Sequence, residues 1–321
     1  MQTTPTGTDH PTAVGDLPAL RASFLRHLRA TNLAPNTVRT YEDAVEQLTK
    51  FIDSRGMPTS VNGVKREHLE AFVEDQLARW RPATAANRYR GVQRFFAWLV
   101  EEGELKRSPL ERMKPPRVPD QPPPVLRDDD LKRLLATCER QQGFDDRRDA
   151  AILRIFIDCG ARLSEVAGLR WEPEDDERND VDLDQGQLRF MGKGRRERLV
   201  PVGNRSVRAL DRYLRLRSKH REAYSPWLWL GRKGRLTDSG IAQMVRERGR
   251  QAGVAADIHP HLFRHTFAHQ WRLRGGDGTD LMRLAGWRSP QMLSRYGASA
   301  ETERALAAHK DAGGLRRPRP R

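Results

Sequence analysis

The sequence predicts a mainly α-helical protein of two domains, with a small β-hairpin in the second domain. Three observations support this fold class. Apolar residues recur at helical spacing along most of the chain, a proline-rich stretch interrupts that pattern, and one segment has the pattern of two strands around a turn. With 321 residues, the chain is long enough for two domains that each have a buried core.

The first domain is expected to be a group of four helices. Residues 1–16 are rich in Thr, Pro and Gly and should form a disordered lead-in, whereas residues 17–113 show four amphipathic helical patterns. The apolar positions of these helices are Leu20, Phe24 and Leu28; Val38, Tyr41, Val45 and Leu48; Leu69, Phe72, Val73 and Leu77; and Tyr89, Val92, Phe96 and Leu99. The opposite faces carry Arg39, Arg81, Arg88, Arg90 and Arg94. These arginines form either an ordinary solvated surface or one that follows a phosphate backbone.

A proline-rich segment marks the domain boundary. Six of the ten residues from Pro115 to Pro124 are proline, which cannot continue a helix and makes a stiff, extended connector. We therefore place a linker at 114–125, a second domain at 126–310 and a flexible basic tail at 311–321. The second domain opens with RDDDLKRLL, whose three aspartates suit a helix N-terminus.

The second domain should be helical apart from one β-hairpin. From Gln187 to Val202, the segments QLRF and ERLVPV flank the glycine-containing turn GKGRR. Lys193 lies between two glycines at the tip of this hairpin. Taken alone, a lysine at such a position is most often a solvated turn residue.

Composition narrows the class of partner. The 58 Lys and Arg residues exceed the 43 Asp and Glu residues, which gives a formal charge of +15 and favours a polyanionic partner. Nucleic acid is the leading candidate. Net charge alone leaves open the alternative of a merely soluble protein with a basic surface.

The two cysteines and the absence of long apolar runs indicate an intracellular protein. Cys138 and Cys159 each lie in an apolar helical stretch and are expected to be reduced core residues, since two cysteines cannot build a disulfide framework or a zinc cluster. No apolar run approaches the roughly 18 residues that span a bilayer, and the first residues do not resemble a signal peptide. We expect a cytoplasmic protein with no membrane partner.

The first candidate motif is GARLSEVAGLRW. Gly160 should end an apolar helix, and Arg162 falls at the opening of the next helix, where anions are favoured. The surrounding residues are small or apolar, so the guanidinium is not on a plain solvated face. The alternative is an ion pair with Glu165, three residues further along.

The second candidate motif is HPHLFRHTFAHQ. His261 and Arg264 are three residues apart on one helical face and could reach the same phosphate. His261, His265 and His269 also follow a four-residue spacing, but the acidic partner of a zinc-binding HExxH site is missing. We therefore expect no metal, and we expect His265 and His269 to serve packing and hydrogen bonding.

The third candidate motif is LAGWRSPQMLSRYG. Ser289 can cap, Pro290 can open and Gly297 can close a short helix that carries Tyr296 near its end. A tyrosine with a pKa of about 10 is a weak nucleophile without help, and packing is the common alternative. Two arginines, a lysine, a histidine and a tyrosine would together supply what phosphoryl transfer without a metal needs.

Together with the hairpin GKGRRERLVPV, these candidate segments make four motifs. In the order GARLSEVAGLRW, GKGRRERLVPV, HPHLFRHTFA and LAGWRSPQMLSRYG, they closely resemble those of the tyrosine recombinases, or phage integrases. The residues that match the family pattern are Arg162, Lys193, His261, Arg264 and Tyr296, which follows Trp287 by nine residues. Trp287 is the one departure, because the family more often has histidine at that position. An indole N–H can donate a hydrogen bond to a phosphate oxygen but cannot shuttle a proton.

The resemblance implies a two-domain, Xer-like architecture: a helical core-binding domain and a mixed α+β catalytic domain. It implies that Tyr296 attacks a scissile phosphate to form a 3′-phosphotyrosyl bond, with no metal, ATP or other cofactor. The other implied roles are charge stabilisation by Arg162 and Arg264, protonation of the leaving 5′ oxygen by Lys193, proton handling by His261 and phosphate orientation by Trp287. The implied partner is double-stranded DNA. The protein would bind two DNA sites as a homotetramer, with or without a partner recombinase or a directionality factor.

Three alternatives to a recombinase remain at this point. A type IB topoisomerase would relax supercoils without exchange between sites, and a DNA-binding protein that has lost catalysis would form no covalent adduct. A metal-dependent nuclease would need clustered carboxylates, whereas the candidate motifs supply basic groups.

Overall fold

The computed structural model describes residues 15–119, 123–139, 142–192, 196–254, 256–287 and 289–311, with only the backbone for 294–299 and 311. Almost all of the expected lead-in and basic tail lies outside these residues. The chain divides into two compact units, unit 1 (Met1–Asp120) and unit 2 (Gln121–Arg321).

Unit 1 contains the four helices that the apolar spacing predicted. They are α1 (Leu17–Ala30), α2 (Pro35–Ser54), α3 (Arg66–Arg79) and α4 (Pro82–Glu101). Proline occupies the first turn of α1, α2 and α4, where its missing N–H costs no intrahelical hydrogen bond. The core includes the edge-to-face pair of Phe24 and Phe95, with ring centroids 5.3 Å apart, and Trp98 at 5.4 Å from Phe24.

One predicted core position in unit 1 is wrong. Leu77 was expected to face the core, but it is 42% exposed. It lies in the last turn of α3, where the buried position is Gln76, which accepts a hydrogen bond of 2.5 Å from Arg88. The helical spacing in this turn therefore places a polar side chain inward and the leucine outward.

The close packing of α2 against α4 depends on a glycine. A Cβ atom at Gly91 of α4 would lie 2.5 Å from the Cβ of Ala44 on α2. This is well inside the contact distance of about 3.5–4.0 Å between carbon atoms. The missing side chain of Gly91 thus lets the two helices approach each other.

Unit 2 combines helices with two small antiparallel sheets. Its helices are α5 (Asp128–Ala136), α6 (Phe144–Cys159), α7 (Leu163–Ala167), α8 (Asn204–Arg217), α9 (Asp238–Gln251), α10 (Pro260–Leu273), α11 (Gly278–Ala285) and α12 (Pro290–Asp311). Its strands are β1 (Val181–Asp182), β2 (Gln187–Gly192), β3 (Arg196–Pro201), β4 (Leu230–Gly231) and β5 (Gly234–Arg235). Helix α6 packs against α8 and α10, and its buried face carries Ile152, Ile155 and Phe156. The mainly helical fold with a small hairpin is confirmed.

The predicted hairpin is formed by β2 and β3, and β1 extends it to a three-stranded sheet in the order β1-β2-β3. Its register pairs Leu188 with Val200 and Phe190 with Arg198. Because side chains alternate between the two faces of a strand, Arg198 points to the same face as the buried Val200. The second sheet, β4 with β5, was not predicted, since strands of two residues show no alternating pattern.

Both cysteines are buried and free, as the sequence indicated. Burial raises the pKa of Cys138 to about 11 and also raises the pKa of Cys159. Among the residues that the structure describes, no helix is both long and apolar enough to cross a membrane.

The helix that carries Tyr296 is longer than expected. Gly297 was expected to close a short helix, but α12 continues through it to Asp311. A glycine inside a helix costs only about 1 kcal/mol relative to alanine, so contacts further along the helix can offset it. Position alone therefore does not make Gly297 a helix end.

Those contacts join α12 to α10 within one chain. Glu303 Oε2 lies 3.1 Å from His269 Nε2, and Glu301 Oε1 lies 2.9 Å from Arg272 Nη2. Leu306, near the end of the helix, is 59% exposed. Glu301 and Glu303 therefore connect the second half of α12 to α10 in this chain.

The Gly91→Ala variant is expected to lower the stability of unit 1, although alanine is the better helix former. The added methyl meets Ala44 Cβ, which cannot rotate away, and overpacking of this kind costs about 1–3 kcal/mol. Scanning calorimetry of the full chain would show this as a lower melting temperature for one of its transitions. The double variant Gly91→Ala/Ala44→Gly moves the methyl across the interface and should recover most of the loss. An unchanged melting temperature for Gly91→Ala would contradict the close packing.

Candidate active site

Arg162 is placed by a sharp turn between two helices. Helix α6 ends at Gly160, which adopts a left-handed conformation with φ of +54°. A Cβ atom there would lie 2.6 Å from Phe267 Cδ1 on α10, so only glycine fits both the backbone and the space. Two residues later, Arg162 is the N-cap residue of α7, as the sequence predicted.

Arg162 and Glu165 form the ion pair that the sequence analysis considered. Arg162 Nη1 donates to Glu165 Oε1 at 2.7 Å, and the backbone N–H of Arg162 donates to Glu165 Oε2 at 2.7 Å. The Glu165 side chain is 2% exposed, whereas the Arg162 side chain keeps 42% of its surface exposed. The ion pair therefore orients Arg162, and its side chain stays partly exposed to solvent.

A second arginine shares the same carboxylate. Arg198, on β3, donates to both oxygens of Glu165, with Nη1 to Oε1 at 2.6 Å and Nη2 to Oε2 at 2.8 Å. This is the parallel, two-bond geometry that suits guanidinium and carboxylate. Each oxygen of Glu165 thus accepts two hydrogen bonds, one from each arginine.

The two arginines keep Glu165 ionised. Burial by itself would raise the pKa of this carboxyl, but the hydrogen bonds and charges of Arg198 and Arg162 outweigh burial and lower the pKa to about 2. Because the pKa falls below its ordinary value of 4.5, the stabilisation by this cluster is present above that pH. It is lost as the pH falls toward 2.

Arg264 is placed differently from Arg162. It is 1% exposed and belongs to the first half of α10, and its Nη1 donates to Gly160 O at 2.8 Å. Its guanidinium carbon lies 5.3 Å from the centroid of the Trp287 ring, and Trp287 is itself 7% exposed. Arg264 and Trp287, both singled out from the sequence, are therefore neighbours.

The C-terminal end of α11 brings three arginines together. Its last carbonyl groups carry the negative end of the helix dipole and have no partner within the helix. Three consecutive carbonyls each accept a hydrogen bond from an arginine on a different element: Leu284 O from Arg198 Nε at 3.1 Å, Ala285 O from Arg264 Nη2, and Gly286 O from Arg162 Nη2 at 3.0 Å. The structure thus gathers β3, α10 and the start of α7 around one helix end.

Gly286 is fitted closely between these arginines. It ends α11 in a left-handed conformation with φ of +62°, which favours glycine. A Cβ atom at this position would lie 3.1 Å from Arg198 Nη1 and 3.5 Å from Arg162 Nη1. Any side chain here would be strained and would also press on the guanidinium group of Arg198.

The three histidines of α10 have different surroundings. His261 is exposed in the first turn of the helix, and its ring centroid lies 4.4 Å from that of His265, which is 8% exposed. His269 pairs with Glu303 on α12. Within the described ranges, no group of three His, Cys, Asp or Glu side chains could hold a metal ion.

The structure leaves two predicted site residues without a described side chain. Tyr296 lies in the helical backbone of α12, six residues after its first residue Pro290. Lys193 lies outside the described residues, between the paired ends of β2 and β3 at Gly192 and Arg196. The described geometry therefore brings together Arg162, Arg264 and Trp287.

Arg198 was not among the residues predicted from the motifs, and Glu165 was considered only as a partner of Arg162. A signal for Arg198 was present in the hairpin pattern. Counting back from the apolar Val200 by two residues places Arg198 on the inward face of β3. A charged residue on the inward face of a strand needs a buried partner, and here that partner is Glu165.

Two family models match this chain. The model described as the phage integrase family matches residues 124–303, and the model described as the phage integrase N-terminal SAM-like domain matches residues 22–103. Together these matches cover most of the chain.

Curated relatives agree with the family models. A tyrosine recombinase XerC of Thermodesulfovibrio yellowstonii is 29% identical over 282 residues, which cover 85% of this chain and 89% of the relative. A tyrosine recombinase XerC of Roseiflexus castenholzii is 30% identical over 281 residues, which cover 85% of this chain and 87% of the relative. The similarity thus extends over nearly the full length of both proteins.

Solved structures with low sequence identity share the fold. A XerH site-specific recombinase bound to a palindromic difH substrate, in a post-cleavage complex, matches with a TM-score of 0.76 at 16% identity, covering 94% of this chain and 98% of that chain. A lambda integrase tetramer bound to a Holliday junction matches with a TM-score of 0.67 at 12% identity, covering 89% of this chain and 84% of that chain. With a family model that spans more than half of its length, this chain belongs to the phage integrase family.

Proposed function

We propose that this protein is a site-specific DNA recombinase that cleaves and rejoins duplex DNA through a 3′-phosphotyrosyl intermediate at Tyr296. The relatives named as tyrosine recombinases and the XerH complex captured after cleavage support this function. The observation that carries it is the cluster of arginines at the C-terminal end of α11, in which the Arg162 side chain is oriented and partly exposed.

The arginines are assigned to stabilising charge on the scissile phosphate. Phosphoryl transfer spreads negative charge over the non-bridging oxygens of the transition state, and preorganised guanidinium groups stabilise that charge without reorganising. Arg162 and Arg264 supply two such groups, and Trp287 beside Arg264 is assigned to orienting the phosphate through its N–H. These groups need no metal ion to do this.

The covalent steps are assigned to Tyr296, Lys193 and His261, of which only His261 has a side chain that the structure describes. The Tyr296 oxygen attacks the scissile phosphorus and forms the 3′-phosphotyrosyl bond, while the bond from phosphorus to the 5′ oxygen breaks. Lys193 gives a proton to that leaving oxygen, and His261 handles the proton of the attacking phenol. The 5′-hydroxyl of a partner strand then reverses the step, so bond energy is conserved and ATP is not required.

The proposed partners are two duplex DNA sites and further copies of this chain. The lambda integrase tetramer on a Holliday junction supports a tetrameric assembly. We assign the helical segment 17–113 to binding the DNA core site and the segment 126–310 to catalysis, in keeping with the net charge of +15. An enzyme of this kind acts where the DNA is, and we place it in the cytoplasm.

Replacing the nucleophile should abolish the covalent intermediate. The protein and its Tyr296→Phe variant would be incubated with duplex fragments, including DNA flanking its own gene, denatured in detergent and freed of unattached DNA. Sequencing the attached DNA should show adducts with the unchanged protein only, because phenylalanine has no oxygen to form the bond. Tyr224→Phe, at a tyrosine that is 82% exposed, is the matched control and should form adducts normally.

The same experiment separates the competing functions. Retention of DNA only before denaturation would indicate a DNA-binding protein without catalysis. Adducts accompanied by relaxation of supercoiled plasmid, but by no exchange between two sites, would indicate a topoisomerase. Cleavage that a chelator abolishes would indicate a metal-dependent nuclease.

Loss of Arg162 should affect cleavage more than binding. The Arg162→Ala variant is expected to cleave about a hundredfold more slowly in a single turnover, as when one preorganised donor is removed from an oxyanion site. Its DNA affinity should fall only slightly, because one phosphate contact among many is lost.

A matched variant tests whether charge alone accounts for that loss. Arg215→Ala removes the same charge from α8, where Arg215 is 74% exposed and pairs with Asp211. This variant should cleave at the rate of the unchanged protein. Equal losses in the two variants would argue against a specific role for Arg162.

A further inference from the structure

We propose that Arg198 is a positioning residue for the recombination reaction, because it neutralises and anchors Glu165 so that Arg162 keeps its charge and orientation for the scissile phosphate. This inference rests on the proposed function. It concerns Arg198 on strand β3, which lies within ERLVPV of the hairpin motif but is not among the residues matched to the family pattern.

The contacts of Arg198 are directed inward. Each of its three nitrogens donates to a protein group: Nε to Leu284 O at 3.1 Å, and Nη1 and Nη2 to the two oxygens of the buried Glu165. Its guanidinium carbon lies 5.2 Å from the centroid of the Phe190 ring, and its side chain is 13% exposed. Because all three nitrogens are bound to protein groups, we assign Arg198 an effect that passes through its neighbours.

The charges explain why Arg162 needs Arg198. Arg162 and Arg198 each carry a positive charge, and Glu165 carries the one negative charge between them. The three side chains together therefore have a net charge of +1. Without Arg198, Arg162 and Glu165 would neutralise each other. A neutral pair attracts phosphate much less than a pair with an unbalanced positive charge.

The geometry adds a second reason. The Arg162 guanidinium is held at two points, Glu165 Oε1 and Gly286 O. Glu165 is in turn held by the two bonds from Arg198, and Arg198 is tied to α11 through Leu284 O. Removing Arg198 would free the carboxylate to follow Arg162, so the direction of the remaining Arg162 N–H donors would no longer be fixed.

The test compares cleavage and binding in purified full-length variants on the DNA site identified by adduct sequencing. Arg198→Gln is expected to slow single-turnover cleavage about tenfold or more, with DNA affinity unchanged within about twofold. Arg198→Lys keeps the charge but not the paired hydrogen bonds, and it should be intermediate. If Arg198→Gln does not fold, as judged by its melting curve, Arg198→Lys carries the comparison.

Two double variants distinguish positioning from a general loss of stability. In an Arg162→Ala background, adding Arg198→Gln should cost nothing further, because the residue through which it acts is already gone. Glu165→Gln combined with Arg198→Gln restores the net charge of +1 and should recover part of the cleavage rate. A merely structural role would give additive losses and no recovery.

The matched control is another arginine of the same hairpin. Arg189, on β2, is 20% exposed and is held by Asp180 at 3.1 Å and by backbone carbonyls, so its surroundings are similar in kind. Arg189→Gln should retain the cleavage rate of the unchanged protein.

Several results would overturn the proposal. They are normal cleavage by Arg198→Gln, an equal loss in Arg189→Gln, or additive losses with Arg162→Ala. If the unchanged protein forms no adduct at all, the proposed recombinase function fails first and the role of Arg198 fails with it. If the unchanged protein forms adducts and Arg198→Gln does so at the same rate, only the role of Arg198 fails.

Discussion

The C-terminal end of α11 is the constraint on which the candidate site depends. A helix of eight residues presents its last carbonyls to three guanidinium groups that arrive from three different elements. Since like charges repel, three arginines would not gather without acceptors between them. The partial negative charge of the helix end and the carboxylate of Glu165 supply those acceptors, so the three guanidinium groups are held in place by groups of the protein itself.

The same arrangement separates the arginines by accessibility. Arg264 is enclosed between Gly160, Ala285 and Trp287. Arg162, by contrast, is the N-cap residue of the short helix α7, and a large part of its side chain is exposed to solvent. Enclosed groups hold their direction well because neighbours fill the space around them, and partly open groups can meet a ligand. The site combines both kinds, which suits binding a large anion whose position has to be reproducible.

Much of this was predictable from the sequence, and the exceptions have physical reasons. The helices of unit 1 and the β2–β3 hairpin follow from apolar periodicity, and Gly160 marks the end of α6 as expected. The length of α12 was not predictable, because ion pairs with α10 carry it past Gly297. Arg198 was missed because its partner, Glu165, lies 33 residues away along the chain, and pairings between distant segments leave only a weak local signal.

The buried thiols of unit 2 bear on how this protein can be studied. A thiol reacts as the thiolate, and Cys138, with a pKa raised to about 11, holds almost none of that form at neutral pH. Cys159 is enclosed even more completely. The two existing cysteines should therefore react little with maleimides. A single cysteine introduced on the surface could then carry a fluorophore or spin label without competing modification.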